Sequence, residues 1–279
     1  MSAEGYDVCV LTRHGHTAPG EVSWNPEKQW ISQDVINGAL AVINLCGRSL
    51  ADRRWTRPYK EKLFTSRTQP TQFLQKLCKE ASHPPECYIG ASGVGIYGDQ
   101  GSQLIYDDSR LTGDGFIPEL VTAWEDAHRE IPEARNVILR MGVVLTIRGG
   151  FMERLLLPMH FGLYPYFGSG KQLMSWIHIN DLTRIFLHCI RTNSIAGVYH
   201  ATAPESVAQK DLMHTLREVN RGVGLLCSVP RFILRMVFGE MASMLLESAD
   251  VRPDKIMRTG FQFKYPGIHA ALEEVLKSK

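Results

Sequence analysis

Few residues in this chain have both a type and a place that could do chemistry. Arg13 closes an apolar, strand-like run over residues 6–11. A guanidinium there is either a solvated strand end or, in a nucleotide-binding sheet, the group that meets a ribose 2′-phosphate. A second apolar run, residues 39–47, stops on Gly47, where the missing Cβ lets backbone approach a ligand closely. Behind it, Glu61, Ser66 and Arg67 fall in a helical pattern. A buried strand, a small-residue turn and a charged helix make ligand sites at the carboxyl ends of strands in open α/β sheets. The same three pieces also occur as plain scaffold with a solvated face. Ser92, Tyr97 and His178 could move a proton. His178 reads more readily as a structural histidine beside a helix start. Residues 168–172, Gly-Ser-Gly-Lys-Gln, imitate a phosphate loop but are not one. Pro165 and Gln172 stand where that motif needs Gly and Ser or Thr.

The elements that must position these groups follow from hydrophobic pattern. Strands are expected over residues 6–11, 39–47, 86–92, 136–145 and 197–202. Helices are expected over 56–81, 116–129, 151–161 and 182–191, with Asn180 or Asp181 as the N-cap of the last. Pro70 should kink or split the first helix. Residues 14–34 are polar and turn-rich, with a bend at Trp24-Asn25-Pro26, and 99–114 form a polar loop. The remainder from Ala203 is mostly helical, with a strand-like exception over 260–265. Alternation of strand and helix at this spacing predicts an α/β fold with a doubly wound parallel sheet.

Composition narrows the class. The chain has 279 residues, 44% apolar and 22% charged, which suits a globular protein with one large α/β domain, or a domain with a modest appendage. A formal net charge of +2 argues against nucleic acid as a partner, so any positive site must be local. Six scattered cysteines with no CxxC pair point to reduced thiols, not to a disulfide framework or a metal site. No apolar run is long enough to span a bilayer, and the first residues carry no secretion signal. A cytoplasmic location is therefore expected, with mitochondrial and nuclear addresses left open.

Taken in order, these segments resemble a known family. The carriers are residues 6–13, Asn44-Leu45-Cys46-Gly47, Arg54-Trp55-Thr56, Lys60-Glu61, Ser66-Arg67, residues 93–98, Trp124-Glu125, residues 139–145, 168–172 and 176–181, Ala203-Pro204-Glu205 and Gly260-Phe261. Together they resemble the epimerase-family atypical extended short-chain dehydrogenase/reductases, in the subgroup of NADP-dependent oxidoreductases. The resemblance implies a Rossmann-type domain over 1–202 and a small, mostly helical region over 203–279 on the substrate side. It implies NADP as cofactor, a small-molecule substrate, and cofactor contacts from Thr12, Arg13, Leu45, Cys46, Glu61, Arg67 and Val144. Cys46 stands where the family usually has Ala.

Two departures stand out. The family's first strand and its glycine-rich pyrophosphate turn have no counterpart here, which suggests a truncated form. The family's wider catalytic pair, Tyr and a Lys four residues on, aligns with Ile117 and Val121. No catalytic residue is assigned, and the alternative is a non-catalytic NADP-binding protein acting through protein contacts.

Overall fold

In this computed structural model, strand β5 (Cys87–Gly93) is buried along all but its last residue. It pairs in parallel with β4 (Ala41–Asn44) on one side and β7 (Arg135–Met141) on the other. Strand β12 (Gly197–Ala201) adds to β7, so the sheet runs β4-β5-β7-β12 with every pair parallel. Side chains along β5 alternate between two cores. Cys87 and Ile89 pack on α4 (Ile179–Arg191) through Leu182, Ile185, Phe186 and Cys189. Tyr88 faces α1 (Arg57–Glu80) on the other side, and α1 lies against α2 (Phe116–Ala127). Helices on both faces of a parallel sheet give the doubly wound arrangement expected. The structure describes residues 1–13, 18–32, 34–128, 131–220 and 223–277. The expected end of the 116–129 helix lies outside them.

Several expectations need correction. The first strand, β1, covers only Val10–Thr12. The stretch expected as turns contains β2 (Glu21–Asn25) and β3 (Trp30–Ile31), and β1 pairs parallel to β2 in a separate three-stranded sheet. Val22 and Trp24 are buried between half-buried neighbours, the period of two that the polar composition masked. Trp24 stacks on Phe73 of α1 with ring centroids 6.2 Å apart.

Helix α1 runs unbroken through Pro70. One face, carrying Tyr59, Leu63, Pro70, Leu74 and Cys78, is buried along its length. That burial outweighs the roughly 3 kcal/mol an interior Pro costs.

The strand expected over 136–145 breaks at Gly142. A Cβ on Gly142 would lie 2.8 Å from the Ser175 carbonyl oxygen. The chain beyond it turns away as β8 (Val143–Leu145), pairing in parallel with β11 (Trp176–His178). His178, not Asn180 or Asp181, caps α4, its Nδ1 accepting the Asn180 N–H at 3.1 Å.

The C-terminal part is less helical than its sequence suggests. It adds β13 (Val207–Ala208), β14 (Leu225–Val229) and β15 (Asp250–Val251) to α5 (Gln209–Val219), α6 (Arg231–Phe238), α7 (Ser243–Leu246), α8 (Asp254–Arg258) and α9 (Ile268–Lys277). Each of these strands pairs with an earlier one: β13 with β10 (Leu173–Met174), β14 with β9 (Leu163–Phe167), and β15 with β6 (Leu104–Ile105), which lies in the stretch expected as loop. Helix α3 (Gly150–His160) precedes β9. Residues 260–265 form no strand. The Asp181 carboxylate takes the Lys264 and Tyr265 N–H groups at 2.8 Å each, and the Phe261 and Tyr265 side chains are buried.

Candidate active site

Strands β5 and β7 end level at Gly93 and Met141, β4 stops earlier, level with Gly90, and the turn after β4 is held from below by a buried polar chain. Asn44, a polar residue inside an apolar run, is 1% exposed. Its Oδ1 accepts the Cys46 N–H at 3.0 Å, which sets the turn. Its Nδ2 donates to Thr71 Oγ1 at 2.7 Å and to the Tyr88 hydroxyl at 3.1 Å. The Tyr88 hydroxyl lies 3.0 Å from His128 Nδ1, and His128 Nε2 lies 3.2 Å from the Ala91 carbonyl oxygen. A carbonyl only accepts, so Nε2 carries the proton and Nδ1 accepts from Tyr88. His128 is thus neutral, its pKa driven down to about 4 by burial.

Above this support lie most of the residues expected to contact a cofactor. Leu45 is 60% exposed at the tip of the turn. Cys46 is half-buried, and burial pushes its thiol up to about 11 although the charge of Arg13 opposes the shift. That thiol is no nucleophile near neutral pH. The electrostatic contact places Arg13, exposed just beyond Thr12 at the end of β1, beside the same turn. Arg67 is 7% exposed and pinned, donating to the Leu63 carbonyl at 3.2 Å and the Arg48 carbonyl at 3.0 Å. Its guanidinium carbon sits 5.1 Å from the Trp124 ring centroid. A Cβ on Gly47 would come 3.2 Å from that carbon, so the close approach Gly47 allows is to Arg67 itself. Val144, half-buried on β8, packs in the same cluster as Ile43 of β4. Glu61 stands on the first turns of α1, its side chain 68% exposed and paired with Arg57 at 3.6 Å.

The proton-moving candidates are all engaged elsewhere. Ser92, at the end of β5, donates to Glu125 Oε1 at 2.5 Å. Arg140 grips the same carboxylate with Nε and Nη2, both at 2.7 Å, and donates from Nη1 to the Tyr97 hydroxyl at 2.7 Å. Tyr97 is fully buried and its hydroxyl is 2.6 Å from His200 Nε2. His200 Nδ1 lies 2.8 Å from the Arg252 carbonyl, so it must donate there, and Nε2 accepts the Tyr97 proton. Burial raises the Tyr97 pKa and lowers that of His200, and both stay neutral. His178 is 2% exposed, capping α4, with its ring 4.0 Å from that of Tyr265. Ile117 and Val121 are buried core residues of α2.

Sequence reasoning passed over Asn44, Tyr88, His128 and His200 as site supports. The available signal was a polar residue inside an apolar strand run, visible at Asn44 and Arg140. Burial and partner identity were not visible.

Comparison with known proteins gives the family and the fold. The chain is 34% identical to mouse epimerase family protein SDR39U1, over 99% of this chain and 93% of that protein. It is 36% identical to epimerase family protein SSP1921 of Staphylococcus saprophyticus, over 96% of this chain and 91% of that one. The chain belongs to the epimerase family. Human SDR39U1 (isoform 2), whose crystal structure contains NADPH, superposes with a TM-score of 0.91 at 33% identity, over 100% of this chain and 93% of that one. Residues 229–275 match the family described as a domain of unknown function, DUF1731. In this epimerase-family protein, no helix among the described residues is long and apolar enough to cross a membrane.

Proposed function

We propose that this protein binds NADP(H) over the turn after β4 and acts as an oxidoreductase or epimerase on a small molecule. The observation that carries the reading is the full-length likeness to human SDR39U1, crystallised with NADPH. The residues present fit such a group. An exposed Arg13 lies near a turn whose Leu45 is open to solvent, which gives cation and apolar surface side by side, and the positive charge of the buried Arg67 lies behind the same turn. Thr12 and Arg13 would hold the adenosine end, Arg67 phosphate oxygens, and Leu45, Cys46 and Val144 the nicotinamide side, with residues 203–279 toward the substrate. When bound, the cofactor supplies hydride chemistry. The chain's own part is to orient the substrate and keep water out.

A second reading, a cofactor-binding protein without turnover, is favoured by one observation. Ser92 and Tyr97 are both committed to the Glu125-Arg140-His200 network and have no free proton to give.

Fluorescence titration with NADPH and NADH, with Arg13→Ala alongside, tests the proposal. The parent should prefer NADPH, and Arg13→Ala should lose about tenfold in NADPH affinity with little change for NADH, the scale of one charge-assisted hydrogen bond. Equal affinity of the parent for the two cofactors would sink it. Carbonyl reduction abolished by a substitution in the turn would exclude the second reading.

A further inference from the structure

We infer that Arg48 and Arg53 bind the anionic head of an amphipathic substrate whose apolar body lies along α6. The inference rests on the cofactor reading above and names the substrate class for that site.

Residues 48–67 carry seven Lys and Arg against two Asp and Glu, in a chain whose net charge is only +2. Most of these cations have local partners. Arg54 donates to the Met236 carbonyl at 2.7 Å, Lys60 pairs with Glu240, Arg57 with Glu61, and Arg67 is buried against main-chain carbonyls. Among the described residues, the Arg48, Arg53 and Lys62 side chains have none, and all three are exposed; Arg48 and Arg53 lie in the segment between the turn and α1, Lys62 on α1 itself. The main chain from Arg48 to Leu50 is fixed. The Arg48 N–H is held by Ser66 Oγ at 3.0 Å and its carbonyl by Arg67 at 3.0 Å. The Tyr59 hydroxyl donates to the Ser49 carbonyl at 2.7 Å, and Trp55 Nε1 donates to the Leu50 carbonyl at 2.9 Å. Both guanidinium groups act on the Tyr59 phenol, so they share one neighbourhood. The unpaired guanidiniums of Arg48, whose main chain is anchored, and of Arg53 follow the cofactor turn and are the kind of donor that carboxylates and phosphates accept.

Two other elements are tied to this turn. Asp52 pairs with Arg154 of α3 at 3.5 Å, and Arg54 caps the carboxyl end of α6 through the Met236 carbonyl. Helix α6 turns large apolar groups outward: Phe232 near its start and Met236 near its end are each 69% exposed, and Val237 is 50% exposed. The helix itself bears Arg231 and Arg235 and no acid. Exposed apolar side chains on a helix held by Arg54, the chain neighbour of the unpaired Arg53, suit a molecule with a negative head and an apolar body. A sugar nucleotide, polar at both ends, would leave this face wet.

Isothermal titration of the full chain, with and without saturating NADPH, tests this. The probes are decanoate, decyl phosphate, decanol, acetate and inorganic phosphate, all below micelle-forming concentrations. At least one ten-carbon anion should bind tenfold or more tighter than decanol, acetate or phosphate, and the better of the two tells carboxylate from phosphate. The Arg48→Ala/Arg53→Ala double variant should bring that anion down to the level of decanol. Met236→Ser should weaken the ten-carbon anions several-fold and leave acetate unchanged. All three side chains are exposed, so the variants should keep the parent's Tm. Equal affinity for decanol and the anions, or no effect of the double variant, would overturn the inference. NADPH titration of the same samples separates the two readings: a parent that binds NADPH but neither anion defeats this inference alone, and one that binds no NADPH defeats the cofactor reading.

Discussion

At the scale of single residues, the candidate site is surrounded by groups whose protons are already committed. Tyr97 looks like a general acid in sequence, yet its hydroxyl gives its proton to His200 and accepts from Arg140. Removing that hydroxyl should act through stability. Tyr97→Phe leaves His200 Nε2 without a donor in a buried site, which costs about 1–3 kcal/mol. Urea unfolding should show the loss, while NADPH affinity stays within about twofold. A variant of parental stability that had lost all turnover would instead make Tyr97 the acid. Arg140 carries its charge despite burial because the Glu125 carboxylate meets it through two parallel hydrogen bonds.

At the scale of elements, the same economy recurs: one buried polar side chain fixes a neighbouring segment. Asn44 sets the turn after β4, and Asp181 pins residues 264 and 265 to the first turn of α4. The second case yields a local prediction. Asp181→Ala removes the acceptor for two main-chain N–H groups and should cost about 2–4 kcal/mol. Hydrogen exchange should accelerate first at the Lys264 and Tyr265 amides, before β5 or β7 is affected. Uniform acceleration across the sheet would mean that the segment is not a separable unit. Residues 260–265 looked like a strand because aromatic and polar residues alternate there. What holds them in place is a carboxylate and two buried rings, not a ladder.

At the scale of the whole molecule, four histidines, His128, His178, His188 and His200, have pKa values lowered chiefly by burial. Each takes a proton more readily in the unfolded chain, so the unfolded state binds more protons below about pH 6.5. Their contribution to stability is therefore present above that pH and is lost as pH falls, for His128 down to about 4. Burial raises the Glu247 pKa and works in the opposite sense. Urea unfolding at pH 7.5 and 5.0 should show a marked loss in acid, with His128 alone contributing up to about 1.4 kcal/mol per pH unit. His128→Gln should flatten that dependence. An unchanged slope would mean that His128 is solvated in the folded state.

The chain's own order of residues determined a good deal: the βαβ alternation, a parallel sheet, the turn at Leu45-Cys46-Gly47, and Arg13 and Arg67 as its cations. Those features are local, since period, turn chemistry and charge are read within a few residues. Sequence could not say that Pro70 would stay inside α1, that Gly142 would split a strand, or that Ser92, Tyr97 and His178 would be engaged. It also could not show which of the seven cations after β4 would be left unpaired. These outcomes depend on groups distant in the chain: the face that buries α1, the Ser175 carbonyl, Glu125, and Met236 on α6. Burial and hydrogen-bond partnership belong to the packed molecule, because a side chain's proton and charge are committed only once the neighbour that receives them is in place.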